Sequence, residues 1–540
     1  MLSSKQQLLS GTAPLQKAPA AQSYSRTVRV AAQAAAREVS TSAAVMDRPT
    51  VQSSAEQSQL PTQAAKDAAF RTDIAPEQER PFELEVSGSV PKWLKGSYIR
   101  NGPGHYAPEM KHMFDGYGLL SRFIFEDGKV SAMARYTASN AFKLWKSSGK
   151  MQFSEFGTSI STLKNIWNTL LGVTGFGQGF TDNATVNTLP LPSGELLAMT
   201  ETIKGQYRVR VDDLHTIERA PFVGDSVPGD LTSAHPAVCP DGSVYNLAVD
   251  FGRSRTIYRL DPETLKRTKL ADVPTKDYLR PSWVHDLPAT ENYIVVVDAP
   301  LKYDIVALSL GRPAISGGFS WSPEQGTQVH LINRHTGATQ SFECPVTDFY
   351  CFHFMNAFES ADGKTVFLDC PVFKHGGATD YFLLDNLKGQ QDIPASPVQR
   401  MTIPLDGSSK QATLSLIQRD TTQYNELGRI NPLYKGHDYQ YAYHLASVRP
   451  TPLGNALGKL DVRSGETQLW HEPGCIPQEP LFIPRPGAKA EDDGVVVSAV
   501  AGADGRTFIL VLDGQSWKEV ARAHMPYGMA FQFHGQWYPS

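Results

Sequence analysis

The sequence predicts an all-β chain built by radial repetition, as a β-propeller, and three observations carry that expectation. From Pro81 onward, short apolar runs alternate with Gly, Pro, Asp and Asn turns, with few long helical periods. One unit recurs with variation: "IYRLDPETLKRTKL" near Ile257, "VHLINRHTGATQSF" near Val329, "LGKLDVRSGETQLW" near Leu457 and "FILVLDGQSWKEVA" near Phe508. In each, a strand pattern enters an Asp- or Asn-containing turn and a second strand leaves it, as in the outer hairpin of a propeller blade or a sandwich. Further strand pairs such as "GSVYNLAVDF", "NYIVVVDAPL" and "KTVFLDCPVF" fill the intervals, over about 450 residues in all. One sandwich is too small for so many hairpins, which leaves radial repetition. No fixed period is visible, so the repeat alone does not number the blades.

The amino-terminal segment stands apart. Met1 to Arg37 holds no Asp or Glu but has Lys5, Lys17, Arg26, Arg29 and Arg37 among Ala, Ser and Gln, the acid-poor composition of an organellar transit peptide. Residues as far as about Ala75 continue polar and featureless. The expected division is therefore a leader, residues 1–75, and one folded domain, residues 76–540. Over the whole chain, 51 basic against 55 acidic residues give a net charge of -4, without the basic excess of a nucleic-acid binder. No stretch approaches the ~18 unbroken apolar residues of a spanning helix. The five cysteines form no C-x-x-C pair and read as reduced structural thiols in a non-secretory compartment.

One stretch breaks the strand rhythm. In "ISTLKNIWNTLLGVTGFGQGF", Ile160, Leu163, Trp167, Leu170 and Leu171 recur at helical spacing on one face. Such a helix either packs on the core or dips into a membrane interface, where Trp167 suits the boundary.

Four histidines share an apolar context. His235 precedes Pro236 in "LTSAHPAVCPDG", which pushes it into an extended conformation. His285 lies in "PSWVHDLPATENY", His353 in "DFYCFHFMNAFES" and His534 in "FQFHGQWYPS". Apolar surroundings disfavour imidazolium and leave a neutral ring for a metal. Their separations of 50, 68 and 181 residues are far wider than the helical zinc motifs. Wide spacing suits a propeller, whose inner strands converge on one axis. Imidazoles suit Fe, Zn, Cu or Ni, so the residue type narrows the metal without selecting it.

These contexts, with "GSYIRNGPG", "HMFDGYG", "SAHP", "HDLPATENY", "FHFMNAFE", "EPLFIPRPGAKAEDDGVV" and "HGQW", resemble the carotenoid cleavage dioxygenase family from about Phe82 to Trp537. "TDNAT", "TETIKG" and "INPLYKGHDYQYAY" look most like its plastid, carlactone-forming class. The resemblance implies a seven-bladed propeller with a helical cap over a substrate tunnel, and Fe(II) held by His235, His285, His353 and His534. It implies supporting carboxylates at Glu201, Glu426 and Glu479, which would orient three rings and offset the metal's charge. It further implies an apocarotenoid substrate, O2, and cleavage of one polyene double bond into two carbonyl fragments. For this class the substrate would be 9-cis-β-apo-10'-carotenal and the product carlactone, the strigolactone precursor. The location would be the chloroplast stroma, peripheral to a membrane touched by Ile160, Leu163, Trp167, Leu170 and Leu171. Oligomeric state does not follow from the sequence. Alternatives are cleavage at another double bond, a non-cleaving isomerase on the same scaffold, and a non-enzymatic binding platform. Thr185-Val186 stands where the carlactone class often has Asn-Thr, and the tail departs around Met529 to Gln532.

Overall fold

The computed structural model describes residues 59–173, 179–222, 227–229, 231–250, 252–310, 312, 314 and 317–540. Residues 1–58, most of the leader expected over residues 1–75, lie outside them. Seven antiparallel sheets follow one another along the chain as seven blades, accompanied by a short ribbon of Leu301–Tyr303 with Phe319–Trp321.

The four recurrent units are the outer hairpins of blades three, four, six and seven, and they fold alike for one reason. Each begins with an Asp or Asn (Asp261, Asn333, Asp461, Asp513) whose Oδ1 accepts backbone N–H groups two or three residues on. The fourth following residue then takes the left-handed conformation and returns its N–H to the first residue's carbonyl at 2.8–3.0 Å. That residue is Gly337 or Gly465 in two units, and Leu265 (φ 56) or Trp517 (φ 55) in the others. A non-glycine residue there costs about 1–2 kcal/mol. Burial of Leu265 and Trp517 against the cores offsets it.

Inner strands are apolar on both faces because each blade is covered by its neighbours. Tyr293–Asp298, "YIVVVD", is buried from its second residue onward. Blade closure uses both ends of the folded chain. The last strand, His534–Pro539, pairs with Gly96–His105 and completes blade one on its inner side. The early strand Glu85–Gly88 pairs with Glu519–His524 and completes blade seven on its outer side. Gly102 is required where the carboxyl-terminal segment passes: a Cβ there would lie 2.4 Å from Cα of Gln532.

The folded body begins earlier than the boundary expected at residue 76. Thr62 caps the helix Gln63–Ala69, accepting from the N–H of Ala65, and its own N–H donates to Gly474 O at 3.0 Å. Ala65, Ala69 and Phe70 are buried, and Phe531 N–H donates to Ala69 O at 2.8 Å. The sequence hid this helix because its packed face is mostly alanine, which carries little apolar contrast. No helix among the described residues is long and apolar enough to cross a membrane. The five cysteines are free and buried, as expected of structural thiols.

Candidate metal centre

Every blade sends one residue to the axis. His534 begins the inner strand of blade one, and His235 sits between the two short inner strands of blade three. His285 and His353 lie in the segments entering the inner strands of blades four and five. Glu201 follows the second strand of blade two, Glu426 opens the inner strand of blade six, and Glu479 lies between the split inner strands of blade seven. The structure thus brings together all seven residues singled out in the sequence. One potential ligand atom from each histidine lies within 4.8 Å of the others, and no second such group occurs among the described residues.

The carboxylates decide the histidine tautomers. Nδ1 of His285 contacts Oε1 of Glu201 at 2.5 Å, Nδ1 of His353 contacts Oε2 of Glu426 at 2.5 Å, and Nδ1 of His534 contacts Oε1 of Glu479 at 2.8 Å. An ionised carboxylate only accepts, so each Nδ1 carries the proton and each Nε2 points inward with a free lone pair. His285 Nε2 and His353 Nε2 are 3.2 Å apart. Two lone pairs at that distance repel unless a proton or a cation lies between them.

His235 differs from the other three. No carboxylate among the described residues reaches it; Nδ2 of Asn187 lies 3.4 Å from its Nδ1. Its buried Nε2 has no hydrogen-bond partner. Burial, reinforced by the three neighbouring histidines, holds its pKa well below the ordinary imidazole range. Burial does the same to His534, with His353 and Arg429 adding to it. At His353, burial lowers the pKa but the Glu426 carboxylate outweighs it, and the net shift is upward. An orphaned inward nitrogen, facing lone pairs and a neutral-imidazole donor set fit a borderline transition-metal cation. They do not suit the hard-oxygen preference of Mg or Ca.

Several supporting residues escaped the sequence reading. Arg429 donates from Nε to Oε1 of Glu479 at 2.8 Å and from Nη2 to Gly535 O at 3.1 Å. Arg100, fully buried, donates to Gln532 O at 2.6 Å and lies 4.0 Å from Oε2 of Glu479. Gly535 N–H donates to that same Oε2 at 2.8 Å, so Glu479 holds both the ring and the backbone of the terminal strand. Trp283 donates from Nε1 to Oε2 of Glu201 at 2.9 Å. The only early signal was an arginine within each of the strand contexts "SYIRNGPG" and "NELGRINP". Leu427 takes φ 53 beside a bulge in its strand and turns its N–H onto Oε2 of Glu426 at 2.8 Å. Left-handed leucine at this point is backbone strain kept to aim a carboxylate.

Two cavities meet at the cluster, and His353 and His534 face both. One, of about 220 Å³, is walled by aromatic rings including Phe114, Phe156, Trp283, Phe319, Phe352 and Phe533. Thr185 and Val186 also line it. The other, of about 820 Å³, follows the axis past His235, Phe354, Arg429 and Lys435. Segments around the helices Thr162–Val173 and Ile305–Ser309 supply Asn165 and Leu308 to the aromatic cavity. Leu163 is 84% exposed, Trp167 61% and Leu170 54%, with Val306 at 59% on the neighbouring helix. Ile160 departs from the expected face: it is half-buried against the core, because it precedes the helix and is not governed by its periodicity. The side chain of Leu171 lies outside the described residues.

With this geometry in view, the comparisons with known proteins converge. The propeller with its axial histidine cluster defines a carotenoid-oxygenase type of protein. Residues 72–539 match the model of the RPE65, retinal pigment epithelial membrane protein, family, and the chain belongs to this carotenoid cleavage dioxygenase family, whose members are non-haem iron enzymes. It is 35% identical over 480 residues to carotenoid cleavage dioxygenase 8, chloroplastic, of Arabidopsis thaliana, covering 85% of this chain and 83% of the relative. It is 31% identical over 520 residues to the β,β-carotene 15,15'-dioxygenase of Mus musculus, covering 86% and 90%. The solved structure of an apocarotenoid oxygenase variant from Synechocystis superposes with a TM-score of 0.75 at 24% identity, over 89% of this chain and 99% of that one, and agrees in fold.

Proposed function

We propose that this chain is a non-haem iron(II) dioxygenase of the plastid that cleaves an apocarotenal with O2, converting 9-cis-β-apo-10'-carotenal to carlactone. The observation that carries the reading is a four-histidine cluster, three rings backed by carboxylates, at the meeting point with an aromatic cavity. His235, His285, His353 and His534 would hold Fe(II), which when bound supplies the activation of O2 that a closed-shell polyene cannot provide. The protein's share is positional. Glu201, Glu426 and Glu479 keep the Nδ1 protons in place, so the Nε2 atoms stay available at neutral pH. The aromatic walls exclude water and hold the polyene by apolar contact. Simple cleavage breaks one C=C bond and places one oxygen atom of O2 on each resulting carbonyl; formation of carlactone would add a rearrangement and a second O2. That balance needs no further reductant and no general base from the chain.

The plastid relatives are named as chloroplastic carotenoid cleavage dioxygenases, which supports location and reaction class. Leu163, Trp167 and Leu170 present an apolar face suited to a membrane interface, from which an apolar substrate would be collected. A second reading keeps the metal and O2 but moves the cleaved bond. It is favoured by Thr185 and Val186, which line the aromatic cavity where the carlactone class carries Asn-Thr.

The deciding experiment incubates iron-loaded protein with 9-cis and all-trans apo-10'-carotenals under ¹⁸O2 and reads products by mass spectrometry. Doubly labelled fragments including carlactone are expected. Labelled products without carlactone support the second reading, and recovery of unlabelled, uncleaved isomers overturns both.

A further inference from the structure

The aromatic cavity contains one carboxyl group that the metal centre does not use. Glu155 lies in its wall together with Ser154, Asn165 and Thr181, and its residue is 7% exposed. Thr181 donates from Oγ1 to Oε1 of Glu155 at 2.9 Å, and Ser154 donates to Oδ1 of Asn165 at 3.1 Å. No lysine or arginine among the described residues lies within ion-pair distance of the carboxyl group. Two buried carboxylates nearby, Asp115 and Asp182, have their own donors: Asp115 takes Gly157 N–H and the Thr158 hydroxyl, while Asp182 takes Tyr207 and Arg219. Burial raises the pKa of Glu155 well above the ordinary carboxylate value, against hydrogen bonds from Thr181 and Asn183, and those two acids add to the rise, which favours the protonated form. A neutral acid has a proton to donate, and in an aromatic-walled cavity the partner of lowest cost is an oxygen brought by the ligand.

We infer that Glu155, with Ser154 and Thr181, forms a polar subsite that receives the oxygen-bearing end of an apocarotenoid, an aldehyde or hydroxyl, and thereby sets which double bond stops at the histidine cluster. The inference rests on the apocarotenoid reading proposed above. It adds a direction of entry: the oxygenated terminus lodges at Glu155 while the hydrocarbon length extends along the aromatic rings. A carotenoid without a terminal oxygen would leave the Glu155 proton unpaired and forfeit that fixed register. A purely structural role would have the same carboxyl only brace the segment at Thr181, whose hydroxyl it holds at 2.9 Å. The two roles differ in what they do to two kinds of ligand.

The test compares wild type, Glu155→Leu and Glu155→Gln as full-length protein. Dissociation constants are read by quenching of tryptophan fluorescence in iron-free protein, with an apocarotenal and with a carotene of similar length that lacks oxygen. Product position is read by mass spectrometry in iron-loaded protein, and melting temperature and iron content confirm folding. Glu155→Leu is expected to weaken apocarotenal binding about 10-fold, the loss of one buried hydrogen bond, and to spread cleavage over neighbouring double bonds, with carotene binding unchanged. Glu155→Gln keeps a neutral donor and should stay within about 3-fold of wild type. Equal weakening of both ligands, or no weakening of either, overturns the subsite. If Glu155→Leu fails to fold, the Gln variant decides: selective loss of apocarotenal binding equal to that of a removed donor rejects the neutral-acid role. Failure of wild type to bind apocarotenals at all removes the functional reading and this inference with it, whereas normal wild-type binding with equal weakening, or no weakening, of the two ligands in Glu155→Leu removes the inference alone.

Discussion

At the axis, Glu479 is 1% exposed and its two oxygens are taken by His534, Arg429 and the Gly535 backbone. At the tunnel mouth, Leu163 is 84% exposed and Trp167 61%, with apolar surface turned to solvent on a short helix. The two regions are stabilised in opposite ways. The axis orders charged groups by giving each a partner from another blade, so any one loss leaves an uncompensated charge behind. The mouth tolerates exposed apolar area, which lowers stability in water and becomes favourable only against another apolar phase. Loss of a whole axial strand should therefore damage fold and metal together, single axial substitutions should damage the metal site first, and substitutions at the mouth should leave both intact.

The largest effect should come from deleting residues 531–540. This removes the inner strand of blade one, His534 and the strand's grip on Glu479, Arg429 and Arg100. Loss of cooperative melting together with loss of iron is expected; a truncated chain that melts as the full one and keeps stoichiometric iron would mean the closure is dispensable.

Next, Glu426→Gln replaces a carboxylate that holds the His353 tautomer. Metal affinity should fall about 10–100-fold, measured by competition with a chelator, while the blades stay folded. His353→Ala should abolish stoichiometric iron under the same assay. Unchanged affinity in the Gln variant would show that orientation of His353 does not depend on charge.

Acid should act at intermediate strength, through two buried histidines outside the axial cluster. Burial depresses His105, at the end of the blade-one strand Gly96–His105, and His444, in blade six, to about 4. Below about pH 6.5 the unfolded chain takes up protons at both residues and the folded chain does not, so stability falls as pH drops from 6.5 toward 4. The loss reaches roughly 3 kcal/mol per histidine at pH 4. Replacement of both by Phe or Gln variants that still fold should flatten the slope of melting temperature against pH in this window; an unchanged slope would place the acid sensitivity elsewhere.

The smallest effect on the protein itself is expected at the mouth. Changing Leu163, Trp167 and Leu170 together to Ser or Gln should leave melting and iron content within error and reduce sedimentation with neutral phospholipid vesicles several-fold. Unchanged vesicle binding would return this face to a role other than membrane contact.

Much of this was legible before the structure. The outer-hairpin units are local: an Asp or Asn side chain, a left-handed residue four positions later and two flanking strands lie within one short stretch, so their chemistry is written consecutively. The histidine contexts were legible for a related reason, since apolar residues around an imidazole mark burial whichever strand supplies it. Arg100 and Arg429 were not, because their meaning lies in Glu479, far away in the chain. The helix Gln63–Ala69 was missed because alanine contributes packing without contrast. Ile160 was misplaced because periodicity was extended past the point where the helix starts.

The sequence by itself determined the strand-and-turn rhythm, the four buried imidazoles and, through resemblance, the three carboxylates that would accompany them. Tertiary structure alone decided that seven blades each deliver one of those residues to a single axis. It also decided that His235 has no carboxylate partner among the described residues, that Glu155 is buried in an aromatic wall, and that the terminal strand closes the ring. The physical reason is that hydrogen-bond partnership, desolvation and ring closure depend on distances through space, and a chain encodes those distances only after its blades have packed.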